Sequence, residues 1–174
     1  MITNQEAQKI RERLRGQDKL IFDTCIETGL RVSDVLNLRF RDLGKVMYVR
    51  EMKTGKHKAV EVSDELAERL NAMKKNLLNY DLEKYAFKSP RSPAKHLDRS
   101  TYHRHLKQAC MTAGNDCSAH STRKLYAMNM YYKNFDIYEV QKALNHKYIT
   151  TTATYMGLDL AQLIRDAMQH KLQT

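Results

Sequence analysis

Between residues 45 and 62 the chain abandons the 3.6-residue hydrophobic repeat of a helix for the alternation of a strand. KVMYVREM and HKAVEVS are β-type runs on either side of the turn sequence KTGK, so they read as one antiparallel hairpin. A lone hairpin is marginal in water and must lean on something else. The rest of the chain is written for helices, which makes the fold class α+β and mainly α: a helical bundle with a small antiparallel sheet packed beside it.

The helical segments carry their own punctuation. Thr3 with Glu6 forms a capping box ahead of Ala7, Ile10 and Leu14, predicting a helix over 4–15 that stops at Gly16. A second helix runs from about Asp18 to Thr28, where Gly29 suits a left-handed cap. Ser33 caps a short third helix with Val35, Leu36 and Leu38, and Ser63 opens another with Leu66, Leu70, Met73 and Leu77 on one face. Both prolines fall in SPRSPAKH, residues 89–96, a basic surface loop. Further helices are predicted at about 99–113, ended by Gly114, then at 120–133 and 137–145, with a last one from Leu158 onward. No repeat or break in composition divides the chain, so residues 1–174 are expected to form one domain.

Thirty Lys and Arg against twenty Asp and Glu give a net charge of +10 and a pI near 9.5. Such a balance favours a polyanionic partner, nucleic acid being the commonest, although a merely basic protein would look the same. No apolar run approaches the ~20 residues of a membrane span, and the polar start MITNQEAQKI is unlike a signal peptide, so a cytoplasmic protein without membrane contact is expected. Cys25, Cys110 and Cys117 are odd in number and make no C-x-x-C pair, which predicts reduced thiols rather than a disulfide. Cys110, Cys117 and His120 fall short of a zinc site, lacking a fourth ligand and the paired spacing.

The densest chemistry lies in HSTR, residues 120–123, and in LNHKYITTTATY, residues 144–155, where a histidine and a tyrosine stand nine positions apart across four threonines. H-x-x-R alone is weak, since HLDR at 96–99 matches it too. The ordered set is not weak: Arg31 in TGLRVSDVLNLRFRDL, Lys53 in EMKTGKHKAV, then His120, Arg123, His146 and Tyr155. With the loop and helix SPRSPAKHLDRSTYHRHLKQA between them, these pieces resemble the tyrosine recombinases of the phage integrase family, in the family's order, from about Thr3 to Gly157.

That resemblance implies that Arg31, Lys53, His120, Arg123 and His146 surround a scissile DNA phosphate and that Tyr155 attacks it, forming a 3′-phosphotyrosine bond. Two guanidinium forks and an imidazole N–H suit the charge that builds on the phosphate oxygens, so neither metal nor cofactor is expected. His120 is the candidate proton acceptor, Lys53 the donor to the departing 5′ oxygen, and Asp34 a carboxylate steadying the cations. Arg91, Lys95, Arg99, His103, Arg104 and Lys107, interleaved with Tyr102, are expected to track the DNA backbone, as is Lys124, which replaces a histidine common in the family. Asn145 replaces a common glycine.

The expected partner is double-stranded DNA, bound by a protein monomeric in solution and tetrameric on paired sites. The stripe Leu160, Leu163, Ile164, Ala167 and Met168 is read either as a helix exchanged between subunits or as one folded back on its own domain. The chain is read as a catalytic domain without the core-binding or arm-binding domain of most members. Two other functions stay open: a catalytically silent DNA-binding regulator, and a relaxing enzyme similar in mechanism to type IB topoisomerases.

Overall fold

Leu20, Ile21, Phe22, Thr24, Cys25 and Thr28 are all buried in one helix, Gly16–Thr28, which places it at the centre of the molecule with other helices packed around it. The computed structural model describes residues 2–75 and 77–171. Among them the order is α1 (Asn4–Arg13), α2 (Gly16–Thr28), α3 (Val32–Leu36), β1 (Val46–Arg50), β2 (His57–Glu61), α4 (Asp64–Ala72), α5 (Arg99–Thr112), α6 (Ala119–Asn134), α7 (Ile137–Leu144), α8 (Ile149–Met156) and α9 (Leu160–Lys171). No described helix is long and apolar enough to cross a membrane.

The hairpin falls where the period change puts it. β1 and β2 pair antiparallel with Met47 opposite Val60 and Arg50 opposite His57, and Met47, Val49 and Val60 point into the core. The predicted caps at Thr3 and Ser63, and Asp136 ahead of α7, each accept a hydrogen bond from the first turn of the helix they open. Buried side chains form two clusters. A large one runs from Ile2 to Leu125, and a smaller one joins α6, α7 and α8 through Ala127, Met128, Tyr131, Val140, Leu144 and Met156.

Several expectations are corrected. α1 stops at Arg13, with Leu14 extended and buried, and Gly16 opens α2 instead of ending α1. α4 ends at Ala72, and Leu77 reaches the core from the following loop. Tyr102 is wholly buried with Leu106, Ala109 and Cys110, so it belongs to the packed face of α5 and not to a DNA-facing surface. Cys110 and Cys117, which the spacing gave no reason to pair, are brought together with Cα atoms 5.9 Å apart, while Cys25 is free and buried. Spacing hid this because the chain reverses after α5, where Gly114 takes φ +75° and Asn115 N–H returns to Cys110 O at 2.9 Å. The threonine run, for which no helix was predicted, is helical over Ile149–Met156, and Thr152 is fully buried.

Candidate active site

The site begins with a glycine. Gly29 caps α2 at φ +65°, and a Cβ there would stand 2.2 Å from the Tyr126 ring. The corner leading into Arg31 can therefore lie flush on α6, as no other residue would allow. One turn before Tyr126, Arg123 is 4% exposed and donates to Gly29 O and, at 2.8 Å, to Leu144 O. Its guanidinium thus fastens the α2 corner and the end of α7 to α6. Burial, and then the neighbouring charge of Arg31, pull its pKa below the usual value, opposed by Tyr155, Glu51 and Asp34.

Arg31 and Arg123 face a cavity of about 390 Å³ whose wall also includes Lys53, Arg99 and His120. Behind the cations sit two buried carboxylates. Asp34, 1% exposed, accepts the Met52 N–H at 2.9 Å and so holds the start of the hairpin turn that carries Lys53. Arg31 Nη1 lies 3.9 Å from Asp34 Oδ2 and 3.5 Å from Glu51 Oε2. Among the described residues that nitrogen is a buried donor without a hydrogen-bond partner. A buried donor left open is costly, and the two carboxylate charges within 4 Å of it offset part of that cost.

His146 and Tyr155 approach from the other side. α7 ends at Leu144, Asn145 takes the left-handed conformation at φ +54°, and His146 N–H closes on Gln141 O at 3.0 Å. The His146 Nδ1 lies 3.1 Å from the hydroxyl of Thr152, which fixes the ring from α8. Burial chiefly, then Arg123, Arg31 and Lys53, lower the His146 pKa and keep the imidazole neutral near pH 7. Tyr155 lies one turn after Thr152, with its ring edge-on to His146 at 5.5 Å and its hydroxyl donating to the backbone carbonyl of His120 at 3.3 Å. Burial raises the phenol's pKa, and the opposing pull of Arg123 and Arg31 does not overcome it. The neighbouring cations therefore do not by themselves turn Tyr155 into a phenolate.

All six predicted reactive side chains thus meet around one cavity edge, four in its wall and two beside it. Arg91, Lys95, Arg99, His103, Arg104 and Lys107 are exposed along the proline loop and α5. Lys124 Nζ reaches over Gly157, just beyond α8. Sequence reading missed Glu51 and Thr152. The alternation Met47, Val49, Glu51 was the available signal for the first, because it puts a charge on the buried face of a strand. A larger groove of about 670 Å³ between α1, α2, α4 and α6 contains none of these residues, and its Asp23 is already paired with Arg11 and Arg69. No group of three or more His, Cys, Asp or Glu among the described residues could hold a metal ion.

Tyr155 is set beside two guanidinium groups, Arg123 buried and Arg31 partly exposed, in a mostly helical domain with one small hairpin. The family model described as "Phage integrase family" matches residues 1–161, and the chain belongs to that family. It is 27% identical over 161 residues to the probable integrase/recombinase YoeC of Bacillus subtilis (strain 168), covering 89% of this chain and 87% of that protein. With the tyrosine recombinase XerA of Pyrococcus furiosus it shares 30% identity over 177 residues, covering 97% of this chain and 60% of XerA. Its fold matches the crystal structure of XerH site-specific recombinase bound to difH substrate in a pre-cleavage complex, with a TM-score of 0.72 and 22% identity over 95% of this chain and 53% of that one. The chain therefore spans little more than half the length of these two Xer relatives.

Proposed function

We propose that the protein is a site-specific DNA recombinase that cuts and rejoins strands by transesterification. The observation that carries this reading is the Tyr155 hydroxyl hydrogen-bonded to His120 O, which sets a nucleophile at the edge of a cavity walled by Arg31, Arg123 and Lys53. Tyr155 Oη bonds to phosphorus, the bond to the 5′ oxygen breaks, His120 takes the phenol proton and Lys53 supplies one to the departing oxygen. Arg31, Arg123 and the His146 N–H meet the charge on the non-bridging oxygens, the role a metal ion fills elsewhere. A 5′ hydroxyl from a second strand then attacks the phosphotyrosine and releases Tyr155. Asp34 steadies Arg31 and the lysine turn, while the exposed bases of the proline loop and α5, with Lys124, follow the backbone.

The working form on paired sites is a tetramer, in a cytoplasmic setting where DNA is available. Support for contact between copies comes from α9. Buried Asp166 accepts from Tyr131 at 3.0 Å and rests the helix on its own α6, yet Leu160, Ile164 and Met168 are exposed on it. That outward face is free to meet a neighbouring subunit; the side chain of Ala167 lies outside the described residues.

The test is capture of a randomised pool of nicked duplexes in the presence of a chelator. A covalent protein–DNA band with the wild type and none with Tyr155→Phe is the expected result. Binding without any covalent band would replace the enzyme by a DNA-binding regulator.

A further inference from the structure

The hairpin turn that carries Lys53 is tied to the helix end that carries His146, through two residues to which the proposed chemistry gives no part. Glu51 follows Met47 and Val49 onto the inward face of the hairpin and is 2% exposed. A carboxylate so placed is costly unless hydrogen bonds and cations compensate. Glu51 Oε2 accepts from Thr54 Oγ1 at 2.8 Å, within the turn, and from Asn145 Nδ2 at 3.0 Å, across the molecule. Burial works against its ionisation, but the bonds from Asn145 and Thr54 and the charges of Arg31 and Arg123 hold its pKa below the usual value.

The tie has further strands. Asn145 Oδ1 accepts from Lys56 Nζ at 3.3 Å, and Lys58 Nζ donates to Ala143 O at 2.8 Å. Both lysines belong to the hairpin, and both acceptors belong to the end of α7. At φ +54° the backbone of residue 145 would be served equally by glycine. What asparagine adds is the amide, and both ends of that amide are bonded to the hairpin.

We propose that Glu51 and Asn145 are positioning residues that hold the Lys53 turn in register with His146, so that proton donor and phosphate-binding imidazole meet the same phosphate. This rests on the reading of Lys53 as donor to the leaving oxygen. Each end of the bridge steadies a different reacting group, and neither Glu51 nor Asn145 needs to touch DNA.

Asn145→Gly is the discriminating variant, since it keeps the left-handed cap and removes only the bridge. Without DNA, amide exchange at Gly55, whose N–H donates to Glu51 O at 2.8 Å, should quicken about tenfold, and unchanged exchange would overturn the tie. With the duplex captured by the wild type, cleavage should slow about tenfold, because misplacing a reacting group by even a fraction of an ångström is costly. The same duplex with sulfur in place of the 5′ bridging oxygen needs no proton on its leaving group, so there the loss should shrink to the part that comes through His146. Equal loss on both substrates, or loss on neither, would show that the bridge does not serve Lys53. Glu51→Gln, which keeps an acceptor for Thr54 and Asn145, should be milder than Glu51→Ala; the reverse order would also count against the bridge. If the wild type captures no duplex, the recombinase reading fails and the exchange measurement alone decides the tie.

Discussion

Arg31, Lys53 and Arg123 are carried by elements of the large core between Ile2 and Leu125, whereas His146 and Tyr155 hang from the small cluster around Tyr131, Val140 and Leu144. The difference suits two of the tasks, while His146, which also meets phosphate charge in the proposed chemistry, is steadied within the small cluster by Thr152. Groups that stabilise charge work best when fixed before the reaction, and Arg123 is fixed by two backbone carbonyls. A nucleophile that must approach a phosphate and later release it is better placed on an element that costs little to move. α8 is such an element: four threonines give it poor intrinsic helicity, and Thr152 and Met156 are its buried side chains.

The largest break in this comparison should come from Arg123→Ala. It removes a proposed phosphate ligand and also leaves Gly29 O and Leu144 O without their donor, uncoupling the two clusters. Covalent capture should fall by about 10³-fold, and denaturant unfolding should show a loss of about 3 kcal/mol. Next is Gly29→Ala, which forces a methyl into the Tyr126 ring at a left-handed position. A stability loss of about 2–3 kcal/mol is expected, with part of it recovered in the double variant with Tyr126→Leu.

Thr152→Val tests the small cluster with little change in volume. It strips His146 of its hydroxyl partner and should slow capture about fivefold, the equivalent of one modest hydrogen bond, while thermal stability hardly changes. The smallest effect is on acid stability. The His146 pKa is depressed in the folded protein, so below its ordinary value of about 6.5 the unfolded chain takes up a proton that the native one refuses. Stability from this group is present above that pH and is lost as pH falls. Acidification from roughly pH 7 to 5.5 should therefore lower the melting temperature of the wild type by on the order of 1 °C more than that of His146→Gln.

The helices and the hairpin were legible because their periods and caps are local. The six proposed site residues were legible as a set because they occur in a fixed order of segments, not because any one of them is distinctive. What was hidden depends on the tertiary path. Nothing near Arg123 announces that its partners are the carbonyls of Gly29 and Leu144, and the threonine run has too little apolar content to declare that Thr152 faces inward. Tyr102 stands among basic residues in the sequence, yet its spacing with Leu106 and Ala109 puts it on the buried face of α5. The approach of Cys110 to Cys117 was hidden because it depends on the reversal at Gly114.

The most direct test of a nucleophile carried by the small cluster is to map its bond to DNA. Captured complex would be digested with trypsin and nuclease, and the modified peptide sequenced by mass spectrometry. Cleavage after Lys147 and Arg165 leaves Tyr148 and Tyr155 in one peptide, so fragmentation must separate them. The expected result is a nucleotide on Tyr155 alone. A nucleotide on Tyr148, or on any side chain outside α8, would contradict the site described above.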